Sequence, residues 1–233
     1  MPGASHVPRC PYFGSPTLII RALCFSAGMV VATPVPAQDI IVIGASIMDW
    51  NGHASIPARL SQELGLPVDD RSVAGAQITA GPWERMHGLD IRAQLGPDRP
   101  DLLVMTGGGN DLAEACACDT GCAEAVDALL TEEGRGALGV FLQQVVTDGT
   151  RVFLLGYADP PAGGNDFSGC IPHLRTLAER AKTIPGVTLV PVRQAIDPHD
   201  TSLYDADRVH PSTKGSAVMA RLLAEAIDAA SRR

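Results

Sequence analysis

Ser46 closes a Gly44-Ala45-Ser46 turn, and far downstream His210 stands in Asp207-Arg208-Val209-His210-Pro211. A serine hydroxyl is a weak nucleophile until an imidazole takes its proton, and that imidazole works best when a carboxylate holds its other nitrogen. Asp207, three residues before His210, has the spacing to do so. Two glycine-containing stretches lie between: Ser72-Val73-Ala74-Gly75-Ala76 and Gly108-Gly109-Asn110-Asp111. The Ser46 and Gly75 N–H groups and the Asn110 amide could donate to an oxyanion without adding charge. Ser46, Asp207 and His210 are thus the catalytic candidates, with Ser46, Gly75 and Asn110 as the oxyanion hole.

Each stretch also has an ordinary reading. Gly-x-Ser can be a strand exit with a helix cap, Gly-Gly-Asn a left-handed turn, and Gly75 a plain turn. His199, in Asp197-Pro198-His199-Asp200, competes with His210 but lacks the Asp-x2-His arrangement. A dinucleotide fingerprint fails because Leu112 stands where the third glycine should be, and no P-loop lysine is present. The order of the four stretches carries more than any one of them.

The elements that must position them can be read from periodicity. Asp39 to Gly44 is an apolar run ending in glycine, the pattern of a strand buried on both faces of a parallel sheet. Leu102 to Thr106, Arg151 to Tyr157 and Val187 to Val190 repeat it, and Val68 to Val73 is a more polar version suited to an edge. Helical patterns alternate with these runs. Ile56, Leu60 and Leu64 follow a Ser55 cap and stop at Gly65; Ile171, Leu174, Leu177 and Ala181 mark a second; Thr213 to Ala230 forms the last. The expected fold is a three-layer α/β/α sandwich on a mostly parallel five-stranded sheet. Ala115 to Ala125 and Ala158 to Ser168 read as loops at the carboxyl edge of that sheet, where open α/β sheets bind ligands. Every candidate residue falls at the same edge.

Residues 1–37 differ from the rest. They hold Arg9 and Arg21, no acidic residue, and an apolar run from Ala22 to Ala32 that suits a signal-peptide core and falls short of the ~20 residues that span a bilayer. Val35-Pro36-Ala37 has cleavage-site spacing, so a signal peptide over 1–37 and a single domain over 38–233 are expected, exported to the periplasm or secreted, with no stable membrane anchor. Losing Arg9 and Arg21 with the leader takes the formal charge from −8 to −10. With no basic cluster, a nucleic-acid partner is excluded as a reading. Cys10 and Cys24 lie in the leader. Cys116, Cys118, Cys122 and Cys170 form an even set, which in an oxidising compartment favours two disulfides of undetermined pairing over a zinc site.

Ser46, Gly75, Asn110 and His210, with Asp207, Pro211 and Gly215, resemble the blocks of the SGNH hydrolases, the GDSL-type esterases and lipases. Ala45 stands where that family usually has aspartate, and Ile47-Met48-Asp49 replaces its usual continuation. The resemblance implies a flavodoxin-like sandwich and a cofactor-free, metal-free serine esterase acting on a small-molecule ester, with a short acyl group expected. Its relatives suggest a carbohydrate O-acetyl esterase, a lysophospholipase or a thioesterase as alternatives, and a non-catalytic binding domain is the reading from another class. Met48, Trp50 and Trp83 are candidates to line a modest substrate pocket.

Overall fold

Ile40, Ile41, Val42 and Ile43 are all buried, although a strand sends successive side chains to opposite faces. Ile40 and Val42 enter one apolar core while Ile41 and Ile43 enter another, so both faces of the sheet are covered by helices. The computed structural model describes residues 39–118 and 121–232, and the expected leader lies outside them.

The sheet consists of β1 (Ile40–Ile43), β2 (Asp69–Asp70), β3 (Leu102–Met105), β4 (Arg151–Leu155) and β5 (Val187–Val190), in the order β2-β1-β3-β4-β5. All four pairings are parallel, with Ile40 opposite Leu102, Leu102 opposite Arg151 and Val152 opposite Val187. The polar edge strand expected over 68–73 is reduced to Asp69 and Asp70, both exposed. Two adjacent carboxylates in an exposed edge position give little reason to extend the ladder.

The helices are α1 (Ser46–Asp49), α2 (Ile56–Leu64), α3 (Pro82–Met86), α4 (Ile91–Leu95), α5 (Gly109–Cys116), α6 (Ala123–Leu129), α7 (Ala137–Thr147), α8 (Ile171–Ala181) and α9 (Thr213–Ser231). Met48, Ile56 and Leu60 pack with Met219, Leu223 and Ile227 on one side of the sheet. Residues of α4 to α8, among them Ile91, Leu112, Val126, Leu142 and Leu174, fill the other. This is the three-layer α/β/α sandwich.

Local chemistry sets the boundaries. The Ser55 hydroxyl accepts from Ala58 N at 3.4 Å and α2 stops at Gly65, as the sequence indicates. The Ser212 hydroxyl caps α9, accepting from Gly215 N at 3.1 Å and donating to Ser202 O at 2.6 Å. Ala115 to Ala125 is not a continuous loop. Helix α5 runs through Ala115 to Cys116 and α6 starts at Ala123, because the cysteine spacing that suggested a loop is compatible with two short helices joined by disulfides. Cys116 pairs with Cys122, and Cys118 with Cys170. No helix among the described residues is long and apolar enough to cross a membrane.

Candidate active site

β1 must turn sharply to present Ser46, and Gly44 makes the turn. Its φ is +152°, and a Cβ here would lie 3.1 Å from Thr106 O and 3.2 Å from Met48 Cγ, so only glycine lets the chain pass this close to its neighbours. Gln94 of α4 grips the same residue by both its backbone groups: Gly44 N donates to its Oε1 at 2.8 Å, and its Nε2 donates to Gly44 O at 3.0 Å. Nothing in the sequence marked Gln94, whose role depends on a distant helix folding over the turn. Ser46 is the first residue of α1, where the N–H has no intrahelical acceptor. The methyl of Ala45 is buried in the core on the α4–α8 side of the sheet. Ala45 also lines the cavity beside Ser46.

His210 arrives from the loop before α9. Its Nε2 lies 2.7 Å from Ser46 Oγ and its Nδ1 2.5 Å from Asp207 Oδ2. A carboxylate can only accept, so Nδ1–H donates to Asp207 and the Nε2 lone pair is left to take the Ser46 hydroxyl proton. Asp207 Oδ1 also accepts from Val209 N at 2.9 Å and His210 N at 3.0 Å. Partial burial opposes its charge, but the hydrogen bonds from the His210 ring and from the His210 and Val209 backbone outweigh that and hold its carboxyl below the usual aspartate range. His199 is exposed, and its backbone N–H donates to Asp197.

Asn110 is the second residue of α5, and its Nδ2 donates to Ala76 O at 2.9 Å, beside exposed Gly75. Asp111, 4% exposed, fastens the same segment to α5 by accepting from Ile78 N at 3.1 Å and from Thr79 N and Oγ1 at 2.7 Å each. A buried carboxylate stitching a loop to a helix cannot be read from spacing. The structure thus brings Ser46, Asn110, Asp207 and His210 to the carboxyl edge of the sheet, with Gly75 next to the carbonyl that Asn110 holds.

A cavity of about 130 Å³ opens beside Ser46 and His210, with Gly109, Asn110, Tyr157, Phe167, Ile171 and Leu174 in its wall. Met48, Trp50 and Trp83 are not part of that wall. Met48 is fully buried beneath the sheet, Trp83 is exposed and stacks on His87, and Trp50 stacks on His210. The wall is braced twice. Cys118–Cys170 joins the end of α5 to the residue before Ile171. Arg208, between Asp207 and His210, donates from Nη2 to Ala162 O at 2.7 Å and to Gly164 O at 3.1 Å, while Asn165 Nδ2 donates to Arg208 O at 2.6 Å. Arg208 holds φ +62°, a left-handed conformation that a non-glycine residue keeps only when its surroundings demand it. Among the described residues no cluster of three or more His, Cys, Asp or Glu is arranged to hold a metal ion.

The sequence matches the GDSL-like lipase/acylhydrolase family over residues 41–218. The chain belongs to this family. Solved structures agree on the fold of this GDSL-like hydrolase. A protein from Slackia heliotrinireducens described as an SGNH hydrolase is 23% identical, with 82% of this chain and 99% of that one covered at a TM-score of 0.54. The lipase Lip_vut3 from a goat rumen metagenome is 16% identical, with 81% and 97% covered and a TM-score of 0.59. A family two carbohydrate esterase from Clostridium thermocellum, solved with cellohexaose, is 17% identical, with 86% and 67% covered and a TM-score of 0.56. No curated protein gives a significant match to the sequence.

Proposed function

We propose that this GDSL-like hydrolase is an exported serine esterase that cleaves carboxylic esters of short acyl groups through an acyl-enzyme. The observation that carries the reading is the hydrogen-bonded chain from Ser46 Oγ through His210 to Asp207, at 2.7 and 2.5 Å. Ser46 Oγ attacks the ester carbonyl as its proton passes to His210 Nε2. Asp207 stabilises the imidazolium without taking the proton. The Ser46 and Gly75 N–H groups and the Asn110 amide receive the oxyanion. Collapse returns the carbonyl and expels the alcohol, which leaves with the proton from Nε2. A water then repeats the sequence on the acyl-enzyme, releasing the acid and restoring Ser46.

The cavity of about 130 Å³ supports a short acyl group, since an apolar cavity of roughly 150 Å³ is of a size to bind benzene. The same size suits an acetyl group, which favours an O-acetylated carbohydrate as the second reading. Two disulfides support an oxidising compartment. The test is hydrolysis of p-nitrophenyl esters of increasing acyl length, together with fluorophosphonate labelling of the serine. Acetate and butyrate esters should turn over faster than decanoate, and Ser46→Ala should lose labelling and roughly 10⁴- to 10⁶-fold in kcat. Unchanged hydrolysis by Ser46→Ala removes the reading, and an unlabelled, inactive wild type points to a binding domain on the same fold.

A further inference from the structure

Two in-plane hydrogen bonds hold the nitrogens of the His210 ring, but hydrogen bonds tolerate bending, so the ring can still rock about its Cβ–Cγ bond. A flat partner removes that freedom. The Trp50 indole lies against the imidazole with ring centroids 3.8 Å apart and planes 9° from parallel. Trp50 itself is secured at both ends. Its backbone N–H donates to Ser46 O at 2.9 Å, so the stacking ring rides on the same turn as the serine. Its Nε1–H donates to Asp205 Oδ2 at 2.5 Å.

Asp205 belongs to the His210 loop. Its N–H donates to His210 O at 2.8 Å, its carbonyl accepts from Arg208 N at 2.9 Å, and its Oδ1 accepts from Ala206 N at 2.6 Å. The bond from Trp50 is the main reason its carboxyl lies below the usual aspartate range, so the acceptor is anionic. Ser46–His210 and Trp50–Asp205 are therefore two parallel struts between the same two segments, with the stack between them. A negative indole face attracts a cation above it, and a carboxylate on the indole N–H pushes electron density toward that face. Arg208 binds carbonyls, Asp159 binds Arg175 and Arg193, and Asp49 accepts from Ala74 N.

We propose that Trp50 is a positioning residue for His210 and that Asp205 acts through it, the indole holding the tilt of the imidazole and favouring the imidazolium formed when Ser46 yields its proton. This rests on His210 being the base. The test combines steady-state kinetics on a short p-nitrophenyl ester with NMR of the full-length protein. Trp50→Leu should lower kcat roughly 10- to 100-fold with KM unchanged, and Trp50→Phe, which keeps a flat partner, should restore most of it. Asp205→Ala should cost several-fold in kcat beside Trp50 but nothing further in the Trp50→Phe background, which has no indole N–H to lose. The His210 ring protons should be displaced upfield by the indole, and Trp50→Leu should abolish the displacement. A wild-type kcat in Trp50→Leu, or an Asp205→Ala penalty undiminished beside Trp50→Phe, overturns the proposal. The double-mutant comparison keeps it open to refutation where Trp50→Leu does not fold. Ser46→Ala separates the two claims: retained turnover in that variant refutes the mechanism, whereas the upfield signature reports the stack whether or not the protein is active.

Discussion

Asn110 spends one amide hydrogen on Ala76 O, which aims the second without leaving the side chain free to rotate. Asn110→Ala should therefore lower kcat by about 10²- to 10³-fold, with KM nearly constant, in assays on a short ester. Asp207 makes a prediction about stability. Its carboxyl titrates below the ordinary aspartate range, so its contribution is complete above that range and is lost as pH falls through the depressed value. Urea unfolding should show the wild type more stable than Asp207→Asn at pH 7, with the gap closing below about pH 4. The gathering of Ser46, Asn110, Asp207 and His210 at one edge of the sheet was legible in the sequence because each stands just past a strand or just before the last helix. Gln94, Asp111, Arg208 and the Trp50–Asp205 pair were not. Their partners lie 50, 33, 44 and 155 positions away, and nothing local distinguishes them from surface residues.

Helix α9 carries the loop that delivers His210, so its first turn is where fold and site meet. The Ser212 hydroxyl accepts from Gly215 N and donates to Ser202 O. Ser212→Ala should cost about 1 kcal/mol, read as a fall in Tm of roughly 2–4 °C. Continuous apolar runs and caps made β1, β3, β4, β5, α2, α8 and α9 readable, because strands buried on two faces and amphipathic helices leave periods that survive without tertiary knowledge. The short α1, α3 and α4 leave almost none. In these, one or two turns are held by neighbours: Gln94 reaching Gly44, or Gln77 O accepting from Ile91 N. Residues 115–125 differ from the expected loop for a related reason, since the end of α5 and the start of α6 are short and carry little period; the even number of cysteines indicates two bridges, but only the fold pairs them.

Across the whole molecule, Cys118–Cys170 closes a separation of 52 residues between the helix bearing Asn110 and the wall of the cavity. Replacing both cysteines by alanine should lower stability by about 2–4 kcal/mol, a Tm loss of roughly 4–16 °C in a calorimetric scan. Acetate and decanoate esters should also be distinguished less sharply, because Phe167 and Ile171 lose their tether. The other brace, Arg208, reaches the same wall from the His210 loop. On the proposed function, acyl selectivity would depend on these two long-range links as well as on the lining residues.

Ser46 and His210 are separated by 164 positions. A ribosome adding roughly 5–20 residues per second takes on the order of 10–30 s to pass from one to the other. Throughout that interval the nascent chain carries Ser46 without His210. The α9 residues Met219, Leu223 and Ile227 also have yet to cover the waiting faces of β1 and β3. On the proposed mechanism, reactivity switches on only when the closing helix docks. Unfinished or truncated chains then hydrolyse nothing while they are being made and moved.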